Sequence, residues 1–166
     1  MVNNAVPTNL IIERATQGDA QNILSLQKIA YLSEADLYDD QTIPPLHQTL
    51  SETLSEFEHS VVLKATVQDT IVGSVRGRLD SGTCFVGKLV VHPDYQNKGI
   101  GTQLLRSIEA TFDCAQRYEL FTGHRSRKNL HLYHKLGYRS FRHEQISHKV
   151  TLIYLEKDGS GNNNRH

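Results

Sequence analysis

Apolar residues change their spacing several times along the chain, and these changes divide it into helices and strands. A short apolar run predicts a first strand over Leu10–Arg14. Near-helical spacing of apolar residues predicts a first helix over Ala20–Tyr31 and a second over Leu46–Phe57. Two consecutive prolines predict an irregular segment between these helices, over Asp36–Pro45.

The middle of the chain is rich in β-branched residues and predicts three strands in succession. These strands are Ser60–Gln68, Ile71–Leu79 and Thr83–Val91. The pairs Asp69–Thr70 and Ser81–Gly82 between them suit tight hairpin turns. Strands joined so tightly must run antiparallel, so the sequence predicts a three-stranded meander.

The last third of the chain returns to a helical period before it ends in strands. It predicts a long helix over Thr102–Arg117, a strand over Tyr118–Gly123 and a short helix over Lys128–Leu136. Gly137 suits the left-handed position after that helix, and Val150–Glu156 reads as the last strand. The element order β-α-α-β-β-β-α-β-α-β-β predicts a mixed α/β domain with one central sheet.

Length and composition limit the class of protein. The 166 residues suit one domain over residues 1–157, followed by a polar tail over 158–166 that we expect to be disordered. Lysines and arginines equal acidic residues at 18 each, which argues against a nucleic-acid binder. No apolar run approaches a membrane span and no secretory signal is evident. With only two cysteines, we expect a cytoplasmic protein without membrane association.

Charge is unevenly distributed although its sum is zero. The stretch Ile29–Leu63 holds acidic residues and neither lysine nor arginine, whereas Arg125–Lys149 is strongly basic. The first could attract a cationic ligand and the second a phosphate-bearing one. Both could equally be solvated helix faces.

The segment Leu89–Thr102 places an apolar strand, a turn and an amphipathic helix directly one after another. Amides at a helix start have no partner within the helix, and together with the helix dipole they attract an anion. Gly99 and Gly101 carry no side chain that would keep a phosphate away, and Lys98 adds a positive charge. The segment therefore suits a diphosphate, although a ligand-free tight turn uses glycines as well.

Two better-known phosphate motifs do not fit this segment. A P-loop needs the pattern G-x-x-x-x-G-K-[ST], and the sequence has no such run. A dinucleotide-binding turn needs three glycines after the first strand of a parallel sheet, whereas here two glycines follow an antiparallel meander.

Two motifs resemble the GNAT superfamily of N-acetyltransferases. Val91–Gly101 reads VHPDYQNKGIG and is similar to the family's motif A, V-x-P-x-[YF]-[QR]-x-[KR]-G-[IL]-G. Asn129–Tyr138 reads NLHLYHKLGY and resembles the family's helix with an early asparagine and a tyrosine one turn later. The motifs stand in the family's order on either side of a predicted strand, and the resemblance extends over roughly Leu10–Glu156.

The resemblance implies a fold and a co-substrate. The fold is a single-domain, mostly antiparallel sheet flanked by helices, in which two parallel strands, Cys84–Val91 and Tyr118–Gly123, splay apart around acetyl-CoA. Leu89 and Val91 would then offer backbone groups to the acetyl carbonyl and the pantetheine arm. The residues expected around the pyrophosphate are Gln96, Asn97, Lys98, Gly99, Ile100, Gly101 and Thr102.

The resemblance also implies roles for two side chains of the second motif. Asn129 would hydrogen-bond the pantetheine, and Tyr133 would protonate the leaving thiolate as general acid. Many members of the family place a basic carboxylate on the strand before motif A, but Lys88 is the only charged residue there. The candidates for the base stay open: Glu34, Asp36, Glu119, His124 or a chain of water molecules.

In this fold the segment between the first two helices shapes the acceptor pocket, here Tyr31–Leu46. Its carboxylates and tyrosines suit a cationic primary amine, small-molecule or peptide, with Tyr31, Glu34 and Asp36 as the expected binding residues. Two alternatives stand beside this N-acetyltransferase: a CoA-binding regulatory module without catalysis, and an acyltransferase that uses another acyl-CoA. A homodimer is expected by analogy alone.

We expect no metal site. His131 and His134 have a spacing that could ligate a metal, but no third ligand is specified, so we expect both to be exposed. Cys84 and Cys114 are predicted to lie in the core.

Overall fold

Seven strands form one central sheet in the computed structural model, which describes residues 5–159. In chain order the strands are β1 (Ile11–Arg14), β2 (Val61–Val67), β3 (Thr70–Asp80), β4 (Thr83–Val91), β5 (Arg117–Gly123), β6 (Arg139–Gln145) and β7 (Thr151–Asp158). Their spatial order is β1-β2-β3-β4-β5-β7-β6, and only β4 and β5 pair in parallel. The predicted single-domain α/β class with a mostly antiparallel sheet is confirmed.

Five α-helices flank this sheet within the described residues: α1 (Ala20–Tyr38), α2 (Pro44–His47), α3 (Leu50–His59), α4 (Ile100–Thr111) and α5 (Arg127–Lys135). Two neighbouring residues of β3 show how the layers are arranged, because successive side chains of a strand point to opposite faces. A Cβ at Gly77 would meet Ile108 of α4, whereas Arg76 bonds to Gln27 of α1. The sheet therefore lies between α4 on one face and α1 on the other.

Both predicted hairpins are present, but the first turn lies at Gln68–Asp69, one residue earlier than the predicted Asp69–Thr70, because Thr70 already pairs with Val67 in the ladder. Gln68 and Asp69 adopt positive φ angles of 50° and 63°, and Ser81 and Gly82 adopt 50° and 84°. Two consecutive left-handed residues match the right-handed twist of the strands they join. The meander of β2, β3 and β4 is therefore antiparallel, as predicted.

The prediction for the segment between the first two helices is partly wrong. The helix α1 continues through Tyr38 and ends where Asp39 turns left-handed, at a φ of 47°. The proline pair starts the short helix α2 instead of forming an irregular stretch, since proline fits the first turn of a helix. The next helix begins at Leu50, where the Thr49 side chain accepts a hydrogen bond from the Glu52 amide.

The helix α4 starts at Ile100 and ends at Thr111, earlier than the predicted end at Arg117. The hydroxyl of Tyr118 donates to the carbonyls of Glu109 and Phe112, which satisfies the end of the helix. Cys114 lies in the following turn and is exposed, so its predicted place in the core is wrong, while Cys84 is buried.

The parallel pair opens after a short stretch of contact. Only Thr83–Phe85 of β4 pairs with Arg117–Glu119 of β5, although β4 continues to Val91 and β5 to Gly123. The two strands therefore part, which confirms the splay that the family resemblance implies. The main core packs against the α4 side of the sheet, and its fully buried members include Val75, Cys84, Leu104, Leu105, Ile108 and Leu155.

The strand β7 continues beyond the predicted end at Glu156. It includes Asp158, and the amide of Gly159 donates to the carbonyl of Gln116. The rest of the predicted tail, residues 160–166, lies outside the described residues. No helix between residues 5 and 159 has the length and apolar character needed to cross a membrane.

Candidate active site

A cavity of about 1800 Å³ opens where β4 and β5 part. Its walls come from both strands, the start of α4, one side of α5 and the second half of α1. At one end lies the loop that leads into α4, and at the other lie side chains from α1 and α3. The cavity thus joins the predicted diphosphate site to the predicted acceptor side.

The loop before α4 has the conformation that an anion-binding turn requires. Asn97 and Gly99 are left-handed, with φ angles of 62° and 81°, and Gly99 is the N-terminal cap of α4. The Gln96 side chain donates to the Val91 carbonyl over 3.2 Å, which fastens the loop to the end of β4. The chain turns sharply here, so the first amides of α4 are presented at the mouth of the cavity.

The structure brings most of the predicted donor-site residues to this cavity. Those that line it are Leu89, Val91, Gln96, Asn97, Gly99, Ile100, Gly101, Thr102, Asn129 and Tyr133. Lys98 does not line it. Asn129 donates to the hydroxyl of Thr122 over 3.3 Å, so its amide is oriented by β5.

A bulge distorts β4 next to the cavity, and the sequence analysis missed it. Ser74 pairs with Val90 and Arg76 with Gly87, so that two residues of β4 lie opposite Val75 alone. Lys88, one of these two residues, has a φ of 48°. A bulge of this kind takes main-chain groups out of the ladder. Because β5 has already parted from β4 at this level, those groups lie beside the open cleft.

Tyr133 is buried in α5, and its side chain reaches the cavity. Its hydroxyl has no hydrogen-bond partner among the residues that the structure describes. Burial raises the pKa of Tyr133 above its usual value, and Tyr31 and Glu34 raise it further. The phenol therefore keeps its proton at neutral pH and is free to donate it to a bound molecule.

The three predicted acceptor residues do not lie together. Tyr31 and Glu34 line the cavity, and burial followed by the Glu34 charge raises the pKa of Tyr31 to about 12. Asp36 is exposed outside the cavity, where it accepts a hydrogen bond from Gln41 over 3.3 Å. The helical period explains the difference, since residues two apart point in different directions from a helix.

The end of α1 is fixed to the end of β5 by a short chain of hydrogen bonds. Ser126 contacts the Glu34 carboxylate through its hydroxyl and lies 3.2 Å from the hydroxyl of Tyr38. The Arg125 amide donates to Tyr38 over 3.0 Å. Tyr38 fits only because Gly123 has no side chain, and a Cβ there would overlap the Tyr38 ring. These contacts hold Glu34 at the cavity wall.

A polar cluster that the sequence analysis missed lies under α3. We call it the Arg76–Lys88 cluster; its members are Gln27, Gln48, Glu56, Arg76 and Lys88. Glu56 forms ion pairs with both cations, at 2.5 Å from the Lys88 ammonium. Burial lowers the pKa of Arg76 to about 10, and burial together with the Arg76 charge lowers the pKa of Lys88 to about 8.

A sequence signal for this cluster does exist. Arg76 stands on β3 between Val75 and Gly77, both of which are buried, and is itself only 5% exposed. A charged residue within such an apolar strand indicates a buried partner or a ligand. The partner, Glu56, could not be identified from spacing because it belongs to a separate helix.

The remaining candidates for the base have different surroundings. Glu119 is ion-paired with Arg117 at 3.0 Å, and His124 accepts a hydrogen bond from the Thr151 amide through Nδ1. Both line the cavity, as does Glu34. Asp36 lies outside it, so its role as a base would require a relay.

Between residues 5 and 159, no three His, Cys, Asp or Glu side chains are grouped so that they could hold a metal ion. His131 and His134 are both exposed on α5. His134 contacts the Tyr138 carbonyl at 3.1 Å through Nδ1.

The arrangement of cleft, loop and α5 matches a known family. The family model described as Acetyltransferase (GNAT) domain matches residues 58–140, which is half of the chain. This protein therefore belongs to the GNAT acetyltransferase family, as its two motifs predict, and the match includes both the loop before α4 and Tyr133.

One curated relative is the UPF0157 protein YqkA of Bacillus subtilis (strain 168). It is 25% identical over 119 residues, which is 72% of this chain and 34% of the relative. The chain thus spans about a third of the length of that relative.

Several solved structures share the fold. The PaiA N-acetyltransferase from Thermoplasma acidophilum, in complex with coenzyme A, has a TM-score of 0.73 and 15% identity, over 90% of this chain and 98% of that one. The ribosomal-protein-S18-alanine N-acetyltransferase from Escherichia coli has a TM-score of 0.74 and 14% identity, over 90% and 93%. YncA from Salmonella typhimurium with acetyl-CoA has a TM-score of 0.71 and 19% identity, over 91% and 94%.

Proposed function

We propose that this protein transfers the acetyl group of acetyl-CoA to a primary amine. The observation that carries the proposal is one continuous cleft with an anion-binding turn at one end and an unpartnered phenol in its wall. The turn is built from Asn97 and Gly99, and the phenol is Tyr133. A thioester carrier with a diphosphate needs both of these features within one cavity.

The residues that line the cleft fit acetyl-CoA as the donor. Amides at the start of α4 bind the diphosphate, and Gly99 supplies the left-handed turn before them. The Asn129 amide, oriented by Thr122, hydrogen-bonds the pantetheine arm. Leu89 and Val91 offer main-chain groups beside the bulge, and an amide there stabilises the negative charge that develops on the thioester oxygen.

The transfer is a direct attack with two proton movements. The acceptor first loses a proton, because an ammonium has no lone pair. Its nitrogen then attacks the thioester carbonyl, the carbon–sulfur bond breaks, and Tyr133 gives its proton to the departing thiolate. The nitrogen releases its second proton to solvent or to a neighbouring base, and Tyr133 regains a proton from solvent. The products are an amide and coenzyme A.

The acceptor is a cationic amine, either a small molecule or a peptide. Tyr31 and Glu34 line the cavity together with Tyr133, and Glu34 is bonded to Ser126, the residue before α5, which carries Tyr133. The Glu34 carboxylate attracts the ammonium form of the acceptor, and the Tyr31 ring can lie against it. Asp36 lies outside the cavity, so its negative charge attracts the acceptor only from a distance.

Release of free thiol from acetyl-CoA in the presence of a mixed panel of amines tests the proposal. We expect amine-dependent release by the wild type and a decrease of about 100-fold in kcat for Tyr133→Phe, because the general acid is lost. The dissociation constant for coenzyme A, measured by calorimetry, should change little.

Tyr138→Phe is the matched control for this substitution. The Tyr138 ring lies 6.1 Å from the Tyr133 ring, but its hydroxyl donates to Glu109 and does not reach the cavity. This variant should lose some thermal stability and keep its rate. Coenzyme A binding without any thiol release would favour the regulatory module, and a similar loss in both variants would assign Tyr133 a packing role.

A further inference from the structure

The Arg76–Lys88 cluster carries an excess of positive charge. Its two cations share one carboxylate, Glu56, and its other two members, Gln27 and Gln48, are neutral. The Arg76 side chain is 6% exposed and that of Lys88 is 27% exposed. Glu52 also acts on Lys88 and raises its pKa, but Glu52 is exposed to solvent on α3. A positive charge held away from water calls for a further anion.

The space for such an anion lies directly beside these cations. Gly87 pairs with Arg76 across the β3–β4 ladder, so both residues point to the same face of the sheet. No described atom lies within 4 Å of the position that a Cβ of Gly87 would take. Gly87, Arg76 and Lys88 all line the cavity, and the Nε of Arg76 has no hydrogen-bond partner among the described residues.

A purely structural role explains only part of this arrangement. The ion pairs of Glu56 fasten α3 to β3 and β4, and removal of Glu56 would leave two uncompensated charges. One buried cation would be enough to pair with Glu56, however. The second cation, Lys88, is partly buried beside the first, and it borders the open cavity. Burial, followed by the Arg76 charge, lowers the pKa of Lys88.

The cluster lies at the same end of the cavity as the proposed acceptor residues. The link is α1: its Gln27 side chain accepts a hydrogen bond from Arg76 over 3.2 Å, and Tyr31 follows Gln27 by one helical turn. Tyr31, Glu34 and Arg76 all line the cavity. One acceptor molecule can therefore meet the negative charge of Glu34 and the positive cluster at the same time.

We propose that the acceptor is an amine that also bears a carboxylate, and that Lys88 and Arg76 bind this carboxylate over Gly87. This inference rests on the proposed N-acetyl transfer and specifies the substrate class. The acceptor's ammonium lies on the side of Glu34 and Tyr133, and its carboxylate completes the charge balance of the Arg76–Lys88 cluster. An amino acid has this arrangement of charges.

Pairs of amines that differ by one carboxylate test the inference directly. Suitable pairs are alanine with ethylamine, phenylalanine with 2-phenylethylamine, and lysine with 1,5-diaminopentane. For the pair with the better acceptor, we expect the wild type to show at least a tenfold higher kcat/KM for the carboxylate-bearing member. Lys88→Met should abolish this preference, whereas Lys88→Arg should retain it. Equal kcat/KM values within every pair would overturn the inference and leave the proposed N-acetyl transfer intact.

A binding measurement separates this inference from the proposed function. Each amino acid is titrated by calorimetry into the wild type and Lys88→Met, both saturated with coenzyme A and confirmed to be folded by circular dichroism. Binding that weakens at least tenfold in Lys88→Met supports the carboxylate site even when no amine is acetylated, and then only the proposed function fails. No binding, or equal binding by both proteins, in the absence of any preference in turnover overturns the inference.

Discussion

The two ends of the cavity are built in different ways. The loop before α4 is one uninterrupted stretch, and its main chain, shaped by left-handed Asn97 and Gly99, forms the proposed diphosphate site. The Arg76–Lys88 cluster is assembled from side chains on α1, α3, β3 and β4. A site made of main chain leaves a compact motif in the sequence, whereas a site made of side chains from several elements leaves isolated residues.

The largest expected effect is that Gly99→Val weakens the binding of coenzyme A at the loop before α4. Gly99 has a φ of 81°, which a β-branched residue adopts only with strain, and a Cβ there would lie 3.0 Å from Val6. We expect the affinity for coenzyme A to fall at least about 100-fold, or ~3 kcal/mol, by calorimetry. A variant that folds and binds coenzyme A as the wild type does would show that this loop is not the diphosphate site.

A smaller effect is expected from Gly87→Val, which should weaken use of the acceptor and leave coenzyme A binding nearly unchanged. The added side chain meets open space, so the fold should tolerate it, while it fills the position over which the acceptor carboxylate is proposed to bind. We expect kcat/KM for the acceptor to fall about tenfold while the dissociation constant of coenzyme A stays within about twofold. Equal losses on both sides would mean that the two ends of the cavity are not independent.

The smallest effect concerns stability and pH. The pKa of Lys88 falls from 10.5 to about 8 on folding, so between these values the unfolded chain binds more protons than the folded one. Stability therefore rises with pH in this window, as the penalty for the folded ammonium is relieved. We expect Lys88→Met to remove about 2 kcal/mol of this rise between pH 8 and 10, measured by urea unfolding. An unchanged pH dependence would show that Lys88 titrates normally.

The sequence predicted those parts of the molecule that local interactions determine. The hairpin turns follow from Asp69 and from Ser81–Gly82, and the loop before α4 follows from its glycines. The end of α4 was misplaced because it depends on Tyr118, whose hydroxyl reaches back to the helix from a later strand. The extension of α1 could not be predicted from the proline pair, because prolines that break a chain and prolines that start a helix look alike in the sequence.

The same distinction between local and long-range interactions applies to the candidate site. The proposed donor residues come from the family motifs, and all but Lys98 line the cavity. The acceptor side could not be predicted to the same extent. The helix α1 extends through Tyr38, beyond its predicted end, so Glu34 and Asp36 both lie on it and point in different directions. The sequence indicated only that Lys88 stands on the strand where many family members have a basic carboxylate. Its ion pair with Glu56 could not be predicted, because Glu56 lies 32 positions away along the chain.

The bulge at Lys88 gives β4 one more residue than its ladder with β3 needs. It therefore reverses the faces of the sheet to which the later side chains of β4 point. Before it, Val86 lies on the α4 side; after it, Val91 does so, and Val90 faces α1 instead. Deletion of a single bulge residue would leave these valines on their present sides but straighten the main chain into the ladder. The strand can thus be shortened without disturbing the core, at the expense of the polar groups now released beside the cleft.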